Sequence, residues 1–172
     1  MSDHNVGAIT MSSRYVVNTI LKQVPRTAKI VVECGPGEGV TTRALLQQLS
    51  PESKLFVIET NAQFVESLKK IKDSRLVVIH GKAEDILSVL RAYHISSVDI
   101  VLTIIPFSFL SPHARTQFIK DMHSMLVSGG GLIMFNQYLP VAYNLLKNFF
   151  GTVSLVYELR NIPPCLIMSA KK

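Results

Sequence analysis

Short runs rich in Val, Ile and Leu recur along the chain and alternate with stretches in which apolar residues return at helical spacing. That alternation predicts a parallel sheet with helices on its faces. Strands are expected at Lys29–Cys34, Lys54–Glu59, Leu76–His80, Val98–Ile104 and Leu132–Gln137, with helices between them at 40–49, 61–71, 85–93 and 112–126. The last helix is the best marked. Ser111 can cap it, Pro112 suits its first turn, and Gly129-Gly130-Gly131 is expected to stop it. Its apolar positions Ala114, Phe118, Met122, Met125 and Leu126 form a core-facing stripe.

The rhythm changes after Gln137. A short helix from Pro140 to about Phe149 is followed by two strands, near Thr152–Leu159 and Cys165–Ser169. Two late strands after the βα units suggest a hairpin that closes the sheet, with one strand antiparallel to the rest. Ahead of the first strand, Ser12–Gln23 reads as a helix with Val16, Val17, Ile20 and Leu21 on one side. The chain therefore divides into an N-terminal helical region, 1–28, and a core, 29–172, within one domain.

Composition narrows the class. The 172 residues are 48% hydrophobic and 17% charged, enough for a core and too little charge for a disordered chain. Apolar stretches such as Ile30–Val32 and Leu132–Phe135 are strand-sized, far below the ~20 residues of a membrane-spanning helix. The first residues lack the basic start and apolar run of a secretory signal, so a cytoplasmic protein is expected. Cys34 and Cys165 read as two reduced core thiols, and no spacing among the five histidines and the carboxylates suggests a metal. The net charge of +6 is concentrated at the ends. Residues 1–30 carry four basic groups and one acid, residues 31–110 eight and nine, residues 111–172 six and two. If the ends meet in space they form a basic face suited to an anionic membrane or a nucleic acid.

The sharpest local signal is Glu33-Cys34-Gly35-Pro36-Gly37-Glu38-Gly39, where a strand ends and a helix begins. A tight crossover that lets a ligand approach the main chain favours glycine. Glu59 closes the next strand, twenty residues after Gly39, where it can accept both hydroxyls of an adenosine ribose. The spacing G-x-G-x-G departs from the G-x-G-x-x-G of pyrophosphate sites, and no G-x-x-x-x-G-K-[ST] is present. Glu33 would repel a phosphate but suits a ligand with an ammonium group, such as the amino-acid end of S-adenosylmethionine.

These residues resemble the first two motifs of the Rossmann-like S-adenosylmethionine-dependent methyltransferases, and Gly81-Lys82-Ala83-Glu84-Asp85 extends the likeness past the third strand. The resemblance implies a three-layer αβα fold whose seven-stranded, mostly parallel sheet has its last strand antiparallel. It implies S-adenosylmethionine as cofactor, with S-adenosylhomocysteine as product. Glu33, Gly35, Gly37, Gly39, Glu59, Thr60, Ala83, Glu84 and Thr103 fall on its cofactor-binding positions. Asp85 has a second reading, as a cap of the following helix.

Further motifs lie outside the cofactor half. They are Gly7-Ala8-Ile9-Thr10-Met11-Ser12-Ser13-Arg14, Thr103-Ile104-Ile105-Pro106-Phe107 and Arg160-Asn161-Ile162-Pro163-Pro164. Together they resemble the small soluble bacterial phospholipid N-methyltransferases, which methylate phosphatidylethanolamine. Met11 stands where that family usually has proline, Ile104 where it has glycine, and Thr103 replaces serine. The resemblance implies a phospholipid amine as acceptor and work at the inner face of the membrane. Ser13, Arg14, Pro106, Arg160 and Asn161 are the substrate-binding candidates, with Arg14 and Arg160 suited to a lipid phosphate. Tyr15 and Tyr138 are candidates to line the amine pocket and hold or accept its proton. The N-terminal helix has two readings. In one it lies in the membrane interface, its basic flanks on anionic lipid; in the other it packs on the sheet over the cofactor, and the two are not exclusive.

Rival readings share the cofactor residues. In an adenine N-methyltransferase Pro106-Phe107 would follow a polar residue that holds the base, and Phe107 would stack on it. Ile104 cannot accept that hydrogen bond through its side chain, and a nucleic-acid partner ranks behind the lipid. A small-molecule methyltransferase and a non-catalytic cofactor-binding protein complete the alternatives.

Overall fold

A computed structural model describes residues 13–107, 110–136 and 139–172 of the chain. Seven strands form one sheet: β1 (Ile30–Cys34), β2 (Lys54–Glu59), β3 (Leu76–His80), β4 (Val98–Thr103), β5 (Leu126–Asn136), β6 (Thr152–Glu158) and β7 (Cys165–Lys171). Their spatial order is β3-β2-β1-β4-β5-β7-β6. The first five run parallel, and β7 lies antiparallel between β5 and β6. The order reverses between β1 and β4, so the crevice outside their carboxyl ends is where such a sheet binds ligands. The expected architecture, last strand included, is the one observed.

Alternation along the strands builds a core on each face. Val31, Leu55, Val57, Ile100, Leu102 and Ile133 pack under α1 (Arg14–Leu21), α2 (Val40–Gln48) and α3 (Ala62–Lys69). Val32, Phe56, Val101, Leu132 and Met134 pack under α4 (Ile86–Ala92), α5 (Pro112–Met125) and α6 (Leu139–Phe149). The α5 start is capped as expected, with the Ala114 N–H donating to Ser111 Oγ at 3.2 Å. Phe118, Ile119, Met122 and Met125 are its buried side.

One local expectation is corrected, and at two positions the structure bears on an open reading. Gly129–Gly131 does not separate α5 from a later strand, because β5 begins at Leu126 directly after the helix. The glycines serve an irregular register between Val98 and Ile100. A Cβ at Gly130 would sit 2.9 Å from the Asp99 and Val127 carbonyl oxygens, and Gly129 holds φ +79°. Asp85 precedes α4 but its side chain makes no capping hydrogen bond. The apolar side of α1 is spent on the sheet, with Val16 and Ile20 fully buried and Val17 nearly so. Packing rather than immersion in lipid is therefore the role of that side.

Among the described residues no helix is long and apolar enough to cross a membrane. No group of three His, Cys, Asp or Glu side chains among them is placed to hold a metal.

Candidate active site

The glycine loop joins β1 to α2 at the order reversal. Gly35, Gly37 and Gly39 all take positive φ, at +75°, +55° and +79°. They differ in what surrounds them. A Cβ at Gly35 would lie 2.8 Å from Ile105 Cγ2, and one at Gly39 2.7 Å from Leu68 Cδ2, so both are tight packing positions. At Gly37 nothing lies within 4 Å, which leaves the backbone open to a ligand.

Two carboxylates flank the loop. Glu59 is 7% exposed at the tip of β2, and one of its oxygens accepts from the Gly37 N–H at 3.1 Å. The other accepts from the Asn61 N–H at 2.8 Å, and Asn61 in turn caps α3 through the Gln63 and Phe64 N–H groups. A carboxylate has about four acceptor positions, so this anchored Glu59 keeps capacity for ligand hydroxyls. Glu33 is fully buried, and one oxygen accepts from the Thr42 hydroxyl at 2.6 Å while Oε1 has no partner. Burial pushes its carboxyl up to about 7, against the Thr42 hydrogen bond, and the Glu59 charge adds to the rise. A buried polar atom without a partner is costly unless something supplies one.

The other cofactor candidates fall on the same rim. Thr60 follows Glu59, and its carbonyl lies 3.0 Å from His80 Nε2 at the end of β3. The Gly81 N–H donates to the Glu59 carbonyl at 3.0 Å, which brings the third motif beside the second. Ala83 is buried in a one-turn 3-10 helix, Ala83–Asp85, and Glu84 is exposed. Thr103 pairs with Cys34 across β4 and β1; it is buried and its hydroxyl is unpartnered. The nine candidates thus gather at the carboxyl ends of four adjacent strands. The residues fit S-adenosylmethionine: an acid with a free oxygen for an ammonium, an anchored acid for hydroxyls, and an open glycine backbone. When bound, this cofactor supplies a sulfonium methyl group that a nucleophile can take up.

Five of the acceptor candidates, Ser13, Arg14, Tyr15, Arg160 and Asn161, lie where α1 begins and β6 ends. Ser13 is the N-cap of α1, 3.5 Å from the Val16 N–H. Two guanidiniums lie over the Tyr15 ring, Arg14 at 4.9 Å and Arg160 at 4.4 Å from its centre, and the Tyr15 hydroxyl accepts from Arg14 Nη2 at 2.9 Å. Arg160 turns its fork on Glu158, with Nε and Nη2 each 2.7 Å from a carboxylate oxygen. A lipid phosphate would have to displace Glu158 or use the remaining Nη1 edge. Asn161 is buried and donates from Nδ2 to the Pro163 carbonyl at 2.7 Å, so its amide shapes its own turn. Pro106 is half-buried beyond β4. Phe107 is 3% exposed and meets Phe118 edge to face at 5.8 Å, which removes it as a platform for a base. Tyr138 and the segment Gly7–Ser12 lie outside the described residues.

Glu158 is the residue that sequence reasoning missed. It is buried, also accepts from the Thr19 hydroxyl at 3.1 Å, and so ties β6 to α1. The Arg160 fork beside it holds its carboxyl down at about 2. The available signal was Glu-x-Arg at the end of a strand, an acid and a base two residues apart where the chain turns. Thr42 was missed as well, two residues into α2 and facing Glu33.

Comparison with known proteins agrees with the geometry. Over 162 residues the chain is 24% identical to an ornithine lipid N-methyltransferase of Singulisphaera acidiphila, covering 92% of this chain and 84% of the relative. The fold is shared with precorrin-6y C5,15-methyltransferase from Geobacter metallireducens at a TM-score of 0.73 and 17% identity, over 91% of this chain and 88% of that one. It is also shared with a candidate methyltransferase from Streptococcus mutans in complex with SAH, at a TM-score of 0.62 and 19% identity, over 91% and 95% of the two chains. Residues 31–130, from β1 through the start of β5, match the family of methyltransferase domains. With that match over more than half its length, and with the glycine loop and its two acids in place, the chain belongs to the methyltransferase domain family and is an S-adenosylmethionine-dependent methyltransferase.

Proposed function

We propose that the chain transfers the methyl group to the amine of a membrane lipid, phosphatidylethanolamine or a related aminolipid, while seated peripherally on the inner face of the membrane. The observation that carries this reading is the likeness to an ornithine lipid N-methyltransferase, which spans 92% of the chain and so includes the acceptor half as well as the cofactor half. Two features of the site support it. Ile104 is buried and presents no polar side chain to a base, and Phe107 is locked in the core. The adenine N-methyltransferase pattern would need a polar side chain at the first position and a free ring at the second.

In this reading Glu33 faces the cofactor ammonium, Glu59 takes the ribose hydroxyls, and Gly37 gives the ligand main-chain access. Thr60, Ala83, Glu84 and Thr103 complete the cofactor rim. Methylation of an amine requires its neutral form, held in line with the methyl group, and positioning supplies much of the rate. Tyr15 and Tyr138 line the amine pocket, with Ser13, Arg14, Pro106, Arg160 and Asn161 around the head group.

The test is transfer of a labelled methyl group from S-adenosylmethionine into extracted lipid. Liposomes would carry phosphatidylethanolamine, an ornithine lipid, or neither. Label in either lipid supports the reading and identifies the head group. No label in lipid, from protein that binds S-adenosylhomocysteine, refutes it and leaves RNA and small amines as acceptors to assay.

A further inference from the structure

With the apolar side of α1 buried, another element has to meet the bilayer if the lipid reading holds. The connection from β6 to β7, residues 159–164, has the right chemistry. Ile162 is 84% exposed, Leu159 72%, and Tyr157, just ahead on β6, 61%. Single exposed apolar residues are ordinary, but three within six positions form a patch. They are held outward rather than left to fold back. Glu158 pairs with Cys165 at the base of the loop, Arg160 is fixed on Glu158, and Asn161 bonds the Pro163 carbonyl inside it.

Charge frames the patch. Arg160 lies between the two aliphatic tips in sequence, Arg14 shares the Tyr15 ring with it, and Lys22 lines one cleft together with Leu159. Glu158 cancels one of these three cations, which leaves two in excess. Aliphatic tips with a tyrosine and cations at their base match the interfacial zone of an anionic bilayer. There such tips enter by about 5–10 Å while the cations meet the head groups.

Position completes the case. Since β6 runs parallel to β5, this loop leaves the same carboxyl edge of the sheet as the glycine loop. It does so on the opposite side of β4 from Glu59 and Ala83, about 19 Å from β1 at the usual strand spacing. A lipid entering there would reach the site without crossing the adenosine half.

The geometry points to the β6–β7 loop, tipped by Leu159 and Ile162, as the part of the chain that enters an anionic bilayer surface. This rests on the lipid reading above and names the surface that carries it.

The experiment is cosedimentation of the full chain with phosphatidylcholine vesicles, with and without about 30% phosphatidylglycerol, for the wild type and for Leu159→Ser with Ile162→Ser. The exposed positions allow the variant to fold, and its S-adenosylhomocysteine affinity, expected unchanged, verifies that. The wild type should bind the anionic vesicles, and the double variant should bind about 10- to 100-fold more weakly. Equal binding by the two chains overturns the loop assignment and leaves the lipid reading intact. If the wild type binds no vesicles yet methylates detergent-dispersed lipid, the membrane surface fails and the substrate survives; if it does neither, both fail. Sedimentation velocity covers the competing occupant, a second copy added along the open β6 edge. A wild-type dimer that the double variant converts to monomer would overturn the proposal.

Discussion

Replacing Glu33 with glutamine separates what the fold tolerates from what the ligand demands. In the free protein, burial raises this carboxyl from 4.5 to about 7, opposed by the Thr42 hydrogen bond and assisted by the Glu59 charge. The folded chain therefore holds this proton more tightly than the unfolded chain does. The associated stability is fully present below about pH 4.5 and is lost as pH rises through about 7. At ~1.4 kcal/mol per pH unit the shift is worth about 3 kcal/mol. Urea unfolding at about pH 5 and about pH 8 should show the wild type losing about 2–3 kcal/mol more than Glu33→Gln, whose amide does not titrate. The ligand acts in the opposite sense. An ammonium beside Oε1 favours the ionised acid, so S-adenosylhomocysteine should bind the wild type more tightly as pH rises from about 5.5 to about 7.5. Binding to the variant should be weaker and flat over that range. Parallel stability curves for the two chains would refute the buried, half-protonated carboxyl. Equal affinities, measured by calorimetry, would refute the ammonium role.

Gly37→Ala should cost about 1–2 kcal/mol from its positive φ, since no atom lies near the added methyl group. It should nevertheless abolish S-adenosylhomocysteine binding by filling the open approach, and retained binding with a folded protein would show that no ligand passes there. Glu158→Gln should leave cofactor affinity unchanged while loosening α1 from β6. Because the wild-type carboxyl is held at about 2, its contribution is present above about pH 4.5 and fades as pH falls toward 2. The difference in melting temperature between wild type and variant should therefore shrink in acid, and a constant difference would assign Glu158 a purely steric role.

The cofactor half of this protein was readable in the chain because its determinants are local. Glycines at a strand-to-helix crossover, and an acid at the tip of the next strand, are set by backbone geometry that one segment contains. The strands β2 and β3 have the bounds that their Val and Ile runs predict. What was misread depends on partners distant in sequence. Gly129–Gly131 has the composition of a helix stop, but the carbonyl of Asp99 on the neighbouring strand gives Gly130 its role. Amphipathic spacing in α1 is the same for a helix on lipid and a helix on a sheet, and only the residues facing it, such as Ile133 and Ile167, decide between them. The Arg160 guanidinium, expected to face a phosphate, is forked on Glu158 two positions away and lies over the Tyr15 ring, and only the second of these partners is distant in sequence.

The same contrast divides the site physically. On the cofactor side the polar atoms left open are buried and few, Glu33 Oε1 and Thr103 Oγ1, and each asks for one ligand group in one place. On the acceptor side Tyr15 accepts from Arg14, Arg160 donates to Glu158 and Asn161 donates to the Pro163 carbonyl, while Gln23 Oε1 in the neighbouring cleft has no partner. A lipid head group would meet the same bonds as a small polar acceptor; what a lipid adds is delivery by a surface. Its chains remain in the bilayer, its position is fixed by the membrane, and only its amine has to reach the carboxyl edge of β4. On the lipid reading proposed above, the exposed aliphatic tips Leu159 and Ile162 would let a membrane surface bring the substrate to this side of the sheet.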